Sequence, residues 1–242
     1  MDMKISGSGV IAAGEYDDIR ISGSGKLSGL VRCQSLHISG SASGEEVECR
    51  EDIKISGSGH FHQRMKAGSL SVSGAFTCDG DIQADTVIKC SGGAKSKGSV
   101  KCTTLSVAGS LSCEADIEAE TVKISGRLNC AGLLNAEEIT IKANAGMEIG
   151  NIGGSKIAIY RDESCKKKIR LPLLSSLIKG SDGLITVLNA IEGDQIALEN
   201  VSAPRVSGRV VAIGEDCRID LVQYSEQIEI APGAQVGQTE KI

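Results

Sequence analysis

Three histidines, nine cysteines and 31 carboxylate residues are the groups in this chain with the means to do chemistry. His60 and His62 flank Phe61. If Phe61 points inward on a strand, both imidazoles point outward on one face, where a nitrogen pair could hold a metal ion. Exposed strand histidines are the plainer reading, so no metal site is expected; His37 stands alone. Acidic residues gather at Glu45, Glu46, Glu48, Glu51 and Asp52, and again at Glu114, Asp116, Glu118 and Glu120. They alternate with apolar residues as a solvated strand face does, and Asp79 and Asp81 read as an ordinary turn pair. The nearest cysteines, Cys102 and Cys113, are 11 residues apart, and no C-x-x-C occurs, which argues against zinc. No G-x-x-x-x-G-K-[ST] loop is present to cradle a nucleotide. The chain is therefore expected to be no enzyme, with no cofactor, catalytic group or small-molecule substrate.

The elements that position these residues come from an internal repeat. A pair of apolar residues followed by a small residue and Gly recurs as Ile19/Ile21-Ser-Gly23, Leu36/Ile38-Ser-Gly40, Ile53/Ile55-Ser-Gly57, Leu70/Val72-Ser-Gly74, Leu105/Val107-Ala-Gly109 and Val122/Ile124-Ser-Gly126. The Gly step is 17 from Gly23 to Gly74, 18 to Gly92, then 17 again to Gly109 and Gly126. Aligned on this corner, further columns appear. One holds Gly25, Ala42, Gly59, Phe76, Ala94, Leu111 and Leu128. The next holds Leu27, Gly44, Phe61, Cys78, Ser96, Cys113 and Cys130. A third runs through Val31, Met65, Ile82, Val100, Ile117 and Leu134, and a fourth through Cys33, Ala67, Ala84, Cys102, Ala119 and Ala136, with Val47 and Cys49 one place early. Six of the nine cysteines thus fall in two apolar columns, where a thiol acts as a small hydrophobe.

Alternating β-branched pairs at this period predict strands, not paired helices. Three inward pairs per repeat give an all-β, single-stranded parallel β-helix (a solenoid) with about 17 residues and three short strands per coil. Coils stacked about 4.8 Å apart set each residue over its counterpart one repeat earlier. Cys113 and Cys130 should then stack on neighbouring coils. The recurring Gly fits a corner with positive φ, and the preceding Ser can bond the turn backbone. A second corner column reads Ser35, Ser69, Thr86, Thr104 and Thr121, with Asp52 and Glu138 as departures.

Composition agrees with a narrow interior: aromatics are 2% of 242 residues and Trp is absent. A net charge of -5 and no evident basic face exclude nucleic acid as an obligate partner. Neither a signal peptide nor an apolar run of about 20 residues is evident, so a cytoplasmic protein is expected. Three regions follow. Regular coils fill 1–159. A basic, partly apolar excursion fills 160–183. Less regular coils and a tail, with pairs such as Ile196/Leu198, Val211/Ile213 and Ile228/Ile230, fill 184–242. Within the excursion Lys166, Lys167, Lys168 and Arg170 surround Leu173, Leu174, Leu177 and Ile178, the spacing of a short amphipathic helix after Pro172. It reads either as a loop lying on the solenoid or as a contact for a membrane surface or partner protein.

A solenoid without a capping element leaves apolar strand edges at its ends, where a second chain can add. Ile5, Ile11, Ile19 and Ile21 at one end, and Ile219, Leu221, Ile228, Ile230 and Val236 at the other, are the candidate self-assembly residues. These I-x-I-S-G corners, the near-17 period and the lack of a capping helix resemble the bactofilin family of polymer-forming bacterial cytoskeletal proteins. Ile191-Glu-Gly-Asp-Gln-Ile-Ala-Leu-Glu-Asn200, with Val211-Ala-Ile-Gly214 and Cys217, is similar to the bactofilin-like subgroup of Gram-positive bacteria. The resemblance implies a right-handed β-helix and nucleotide-independent filaments built through the ends, alone or with a related bactofilin-like protein. It also implies flexible tails, one often membrane-binding; this chain instead carries the mid-chain basic segment. The rival expectation is a non-polymerising adaptor that binds through 160–183. A carbohydrate-active enzyme would require a groove walled by long loops.

Overall fold

A computed structural model describes residues 1–143, 145–161 and 183–242. They form 23 strands of one parallel β-solenoid, with no helix among the described residues. One inward column runs the length of the molecule in unbroken register. It passes through Met3, Ile19, Leu36, Ile53, Leu70, Ile88, Leu105, Val122, Ile139, Ile157, Ile196, Val211 and Ile228, one residue per winding. Windings of the first half are cut into short strands, such as β1 (Met3–Ile5), β2 (Ser8–Ile11) and β3 (Gly14–Glu15). Later ones run nearly continuously round the corners, as in β18 (Arg127–Ala143) and β19 (Met147–Arg161). The last of these strands ends at Arg161, and its pairing with the next winding ends at Ile159. After Gly183 the stack resumes in register, with β20 (Ile185–Leu198) on β19, β21 (Val201–Ile213) on β20 and β22 (Arg218–Ile230) on β21.

The Ser-Gly corner has a different cause from the one its composition suggests. None of Gly23, Gly40, Gly57, Gly74, Gly92, Gly109 or Gly126 has a positive φ. What excludes a side chain is the winding beneath. A Cβ on Gly57 would fall inside the carbonyl oxygen of Gly40, and every later glycine in the column meets its predecessor in the same way. The approach is close because one carbonyl accepts two successive N–H groups from the next coil. Ser39 N and Gly40 N donate to Ile21 O at 2.8 and 3.1 Å, and Ser56 N and Gly57 N to Ile38 O at 2.8 and 3.1 Å. Ala108 N and Gly109 N do the same to Cys90 O at 2.8 and 3.0 Å. Alanine serves as well as serine, so the corner needs the backbone N–H and not the hydroxyl.

Inside, large residues face small ones. Phe61 lies one winding above Gly44, and Phe76 one above Gly59. A Cβ on Gly44 would stand 3.0 Å from the Phe61 ring, so the glycine makes the room the ring fills. The two rings meet at 6.3 Å between centroids. The Ser/Thr corner column differs from expectation at one place. Ser69 pairs with Val87, not Thr86, because the 18-residue winding inserts its extra residue there. Thr86 is left beside the column and its hydroxyl donates to Gly68 O at 2.8 Å.

Gly57→Ala is expected to destabilise the fold by about 1–3 kcal/mol, because the added methyl must push two windings apart. Gly7→Ala, at the start of the same column, meets nothing within 4 Å; it should stay within about 0.5 kcal/mol of the parent. Thermal and urea unfolding of the two variants side by side checks the steric account.

Candidate functional site

The solenoid has two ends, and they are not alike. At the first, β1, β2 and β3 have strand partners on one side only, in β4 (Asp18–Ile21) and β5 (Ser24–Cys33). Yet the predicted contact residues there are covered: Ile5 is 8% exposed, and Ile11, Ile19 and Ile21 are fully buried. Ile19 and Ile21 belong to the second winding, under Met3 and Ile5, and Tyr16 is packed against the core at this end. Gly14 and Glu15 pair with Val31 and Arg32, so Tyr16 stands where the next windings place Cys33 and Cys49. Its ring passes 3.6 Å from where a Gly14 Cβ would be, and its hydroxyl donates to Ala12 O at 3.0 Å. The terminal amine pairs with the Asp17 carboxylate.

The other end is barer. β23 (Gln235–Lys241) covers only the first half of β22, pairing with Arg218–Tyr224. Gln227–Ile230 pair with Val210–Ile213 on one side and with no described strand on the other. The effect shows along one column, where Ile213 is 1% exposed and Ile230 is 43% exposed. Ile228 and Val236 are half-buried against the core, and Ile219 is buried. Leu221 does not share the inward face of Ile219. It lies opposite Arg205 and Gln238 at a corner, and Val222 is the residue that points in. The alternation read from Ile219 thus breaks between Leu221, which is half-buried, and Val222, which is buried. Tyr224 follows Gly154, Gly193 and Gly208 in one column and is itself paired with Lys241 of β23. The other predicted contact, Lys166, Lys167, Lys168, Arg170, Leu173, Leu174, Leu177 and Ile178, lies outside the described residues.

On the flank, stacking assembles groups that lie far apart in the chain. Phe61 pairs with Cys78, so Asp79 stands over His62. Its Oδ2 lies 3.0 Å from His60 Nε2 and 2.9 Å from His62 Nδ1, and its Oδ1 accepts from Lys97 Nζ at 2.7 Å. Asp79 is thus the hub of a charged cluster and not a plain turn residue. Lys97 first, then His62 and His60, hold its carboxyl well below the ordinary carboxylate range. The signal was present in the sequence, since Asp79 follows His62 by one repeat of 17. The eight described cysteines are buried and free, as packing residues should be. Burial pushes the Cys78 thiol up to about 11 and the Cys102 thiol up to about 12, which makes both poor nucleophiles.

Two outcomes follow. In a Cys165→Ser background, the eight buried thiols should resist DTNB in the native protein and react together on unfolding. Asp79 has a depressed folded-state pKa, so its contribution to stability is full above the unfolded carboxylate pKa of about 3.9 and fades as pH falls below it. Melting curves of the parent and Asp79→Asn should therefore differ most near neutrality and converge towards pH 2.

No family model and no solved structure matches the chain. It is similar to two uncharacterized proteins of Bacillus subtilis (strain 168). It is 32% identical to YhbE over 112 residues, 46% of this chain and 44% of that protein. It is 31% identical to YhbF over 114 residues, 46% of this chain and 42% of that protein. The chain thus matches less than half the length of either relative.

Proposed function

We propose that this chain is a structural, non-enzymatic protein that assembles through the end windings of its β-solenoid into filaments or stacks, as the resemblance to bactofilins implies. A cytoplasmic setting accompanies that reading. No helix among the described residues is long and apolar enough to cross a membrane. The observation that carries the proposal is the exposure of Ile230 at 43% beside an unpaired strand edge, in a column whose inner members are sealed. Such an edge presents backbone N–H and C=O groups together with an apolar stripe, which is what another winding would cover. Assembly there repeats the contact already made a dozen times within the chain, so it calls for no nucleotide. The opposite end can join in turn through the free side of β1–β3.

The purified chain should sediment as a polymer at micromolar concentration and show filaments or stacks in negative-stain micrographs. Ile230→Lys, and separately Ile5→Lys, should abolish assembly while far-ultraviolet circular dichroism stays β-rich. A monomeric parent, or filaments that survive both changes, would overturn the reading.

A further inference from the structure

We propose that His60, His62 and Asp79 form a surface site for a divalent transition-metal ion of the Zn²⁺ type, joining two neighbouring windings. Their three donor atoms lie within 4.8 Å of one another, and the two rings stand 4.4 Å apart between centroids. The arrangement follows from the fold. Strand alternation puts both imidazoles on one side of buried Phe61, and the in-register winding above brings Asp79 over them.

Two features favour a metal over a simple ion pair. The first is how the carboxylate is shared. At Asp79, Lys97 takes Oδ1, which leaves Oδ2 turned towards both imidazoles. The contrast is His37, where Lys54 and the imidazole converge on the same Oδ2 of Asp52, at 2.9 and 2.8 Å, and occupy the place a cation would need. The second is donor chemistry. Two imidazole nitrogens and one carboxylate oxygen suit Zn²⁺, Co²⁺, Ni²⁺ or Cu²⁺, whereas Ca²⁺ and Mg²⁺ prefer oxygen alone. Bond lengths of about 2.0–2.2 Å in a tetrahedron separate ligand atoms by about 3.4 Å. The present nitrogen–oxygen distances of 2.9 and 3.0 Å need to open by only a few tenths of an ångström. The imidazoles are 47% and 55% exposed, so they have room to do so. Bound through His60 Nε2 and His62 Nδ1, the neutral rings keep their protons on the opposite nitrogens. Water completes the coordination on the open side.

The test is a Co²⁺ titration of tag-free full chain, followed by its visible absorption, with Zn²⁺ competition and thermal melts. One equivalent should bind, and Zn²⁺ should displace it and raise the melting temperature. Removing even an outer-shell partner typically weakens such sites about 10–100-fold. His62→Ala and Asp79→Asn should therefore each weaken binding at least about tenfold and lose the Zn²⁺-dependent stabilisation, whereas His37→Ala binds as the parent does. The absence of saturable binding would overturn the proposal. So would binding that survives His62→Ala, shows a thiolate charge-transfer band and disappears in Cys165→Ser.

Discussion

One carbonyl accepting two successive N–H groups at each Ser-Gly corner is the contact on which this structure depends. The pattern of Ser39 and Gly40 on Ile21 O returns winding after winding up to Ser125 and Gly126 on Val107 O. It draws the coils together until no Cβ fits at the glycine. That close approach locks register: a slip of one residue would place a side chain where only hydrogen can go, and would turn every inward residue outward. The period of the chain is thus a statement about backbone spacing, and the side-chain columns are its consequence.

With register locked, each column becomes a one-dimensional packing problem. Gly44 under Phe61 and Gly59 under Phe76 answer it with complementary sizes, and buried cysteines answer it with small soft ones. On the outside the same stacking creates charge ladders, such as Arg32–Glu48–Arg64–Glu46 and Lys101–Glu118. Exposed pairs of this kind each add little, about 0–1 kcal/mol. Their greater effect is to disfavour wrong registers that would bring like charges together. The His60–His62–Asp79–Lys97 cluster is the same device with imidazoles in it, which is why a structural ladder can acquire ligand chemistry.

Repetition also defines what is special about the ends. An interior winding is covered on both sides; a terminal one must be covered otherwise or left to a partner. Tyr16 at one end and Tyr224 near the other each replace a small column residue with a ring. Ile11 in the first winding is buried, whereas Ile230 in the last full winding is 43% exposed.

The sequence by itself determined the fold class, the period, the inward columns and the outward histidines. Each rests on alternation and on residues one repeat apart, and both are local or translational properties of the chain. It did not disclose why glycine is required, because the obstacle is the backbone of a different winding and not the residue's own φ. It misplaced Thr86, since an inserted residue shifts register with no mark in composition, and it read Leu221 where Val222 is the buried residue. The 17-residue step put Asp79 over His62, but the packing of Tyr16 on the core and the convergence of His60, His62 and Lys97 within bonding distance of Asp79 came from tertiary structure. Both depend on which side chain reaches across from a neighbouring coil, and only the stacked solenoid brings those atoms within contact.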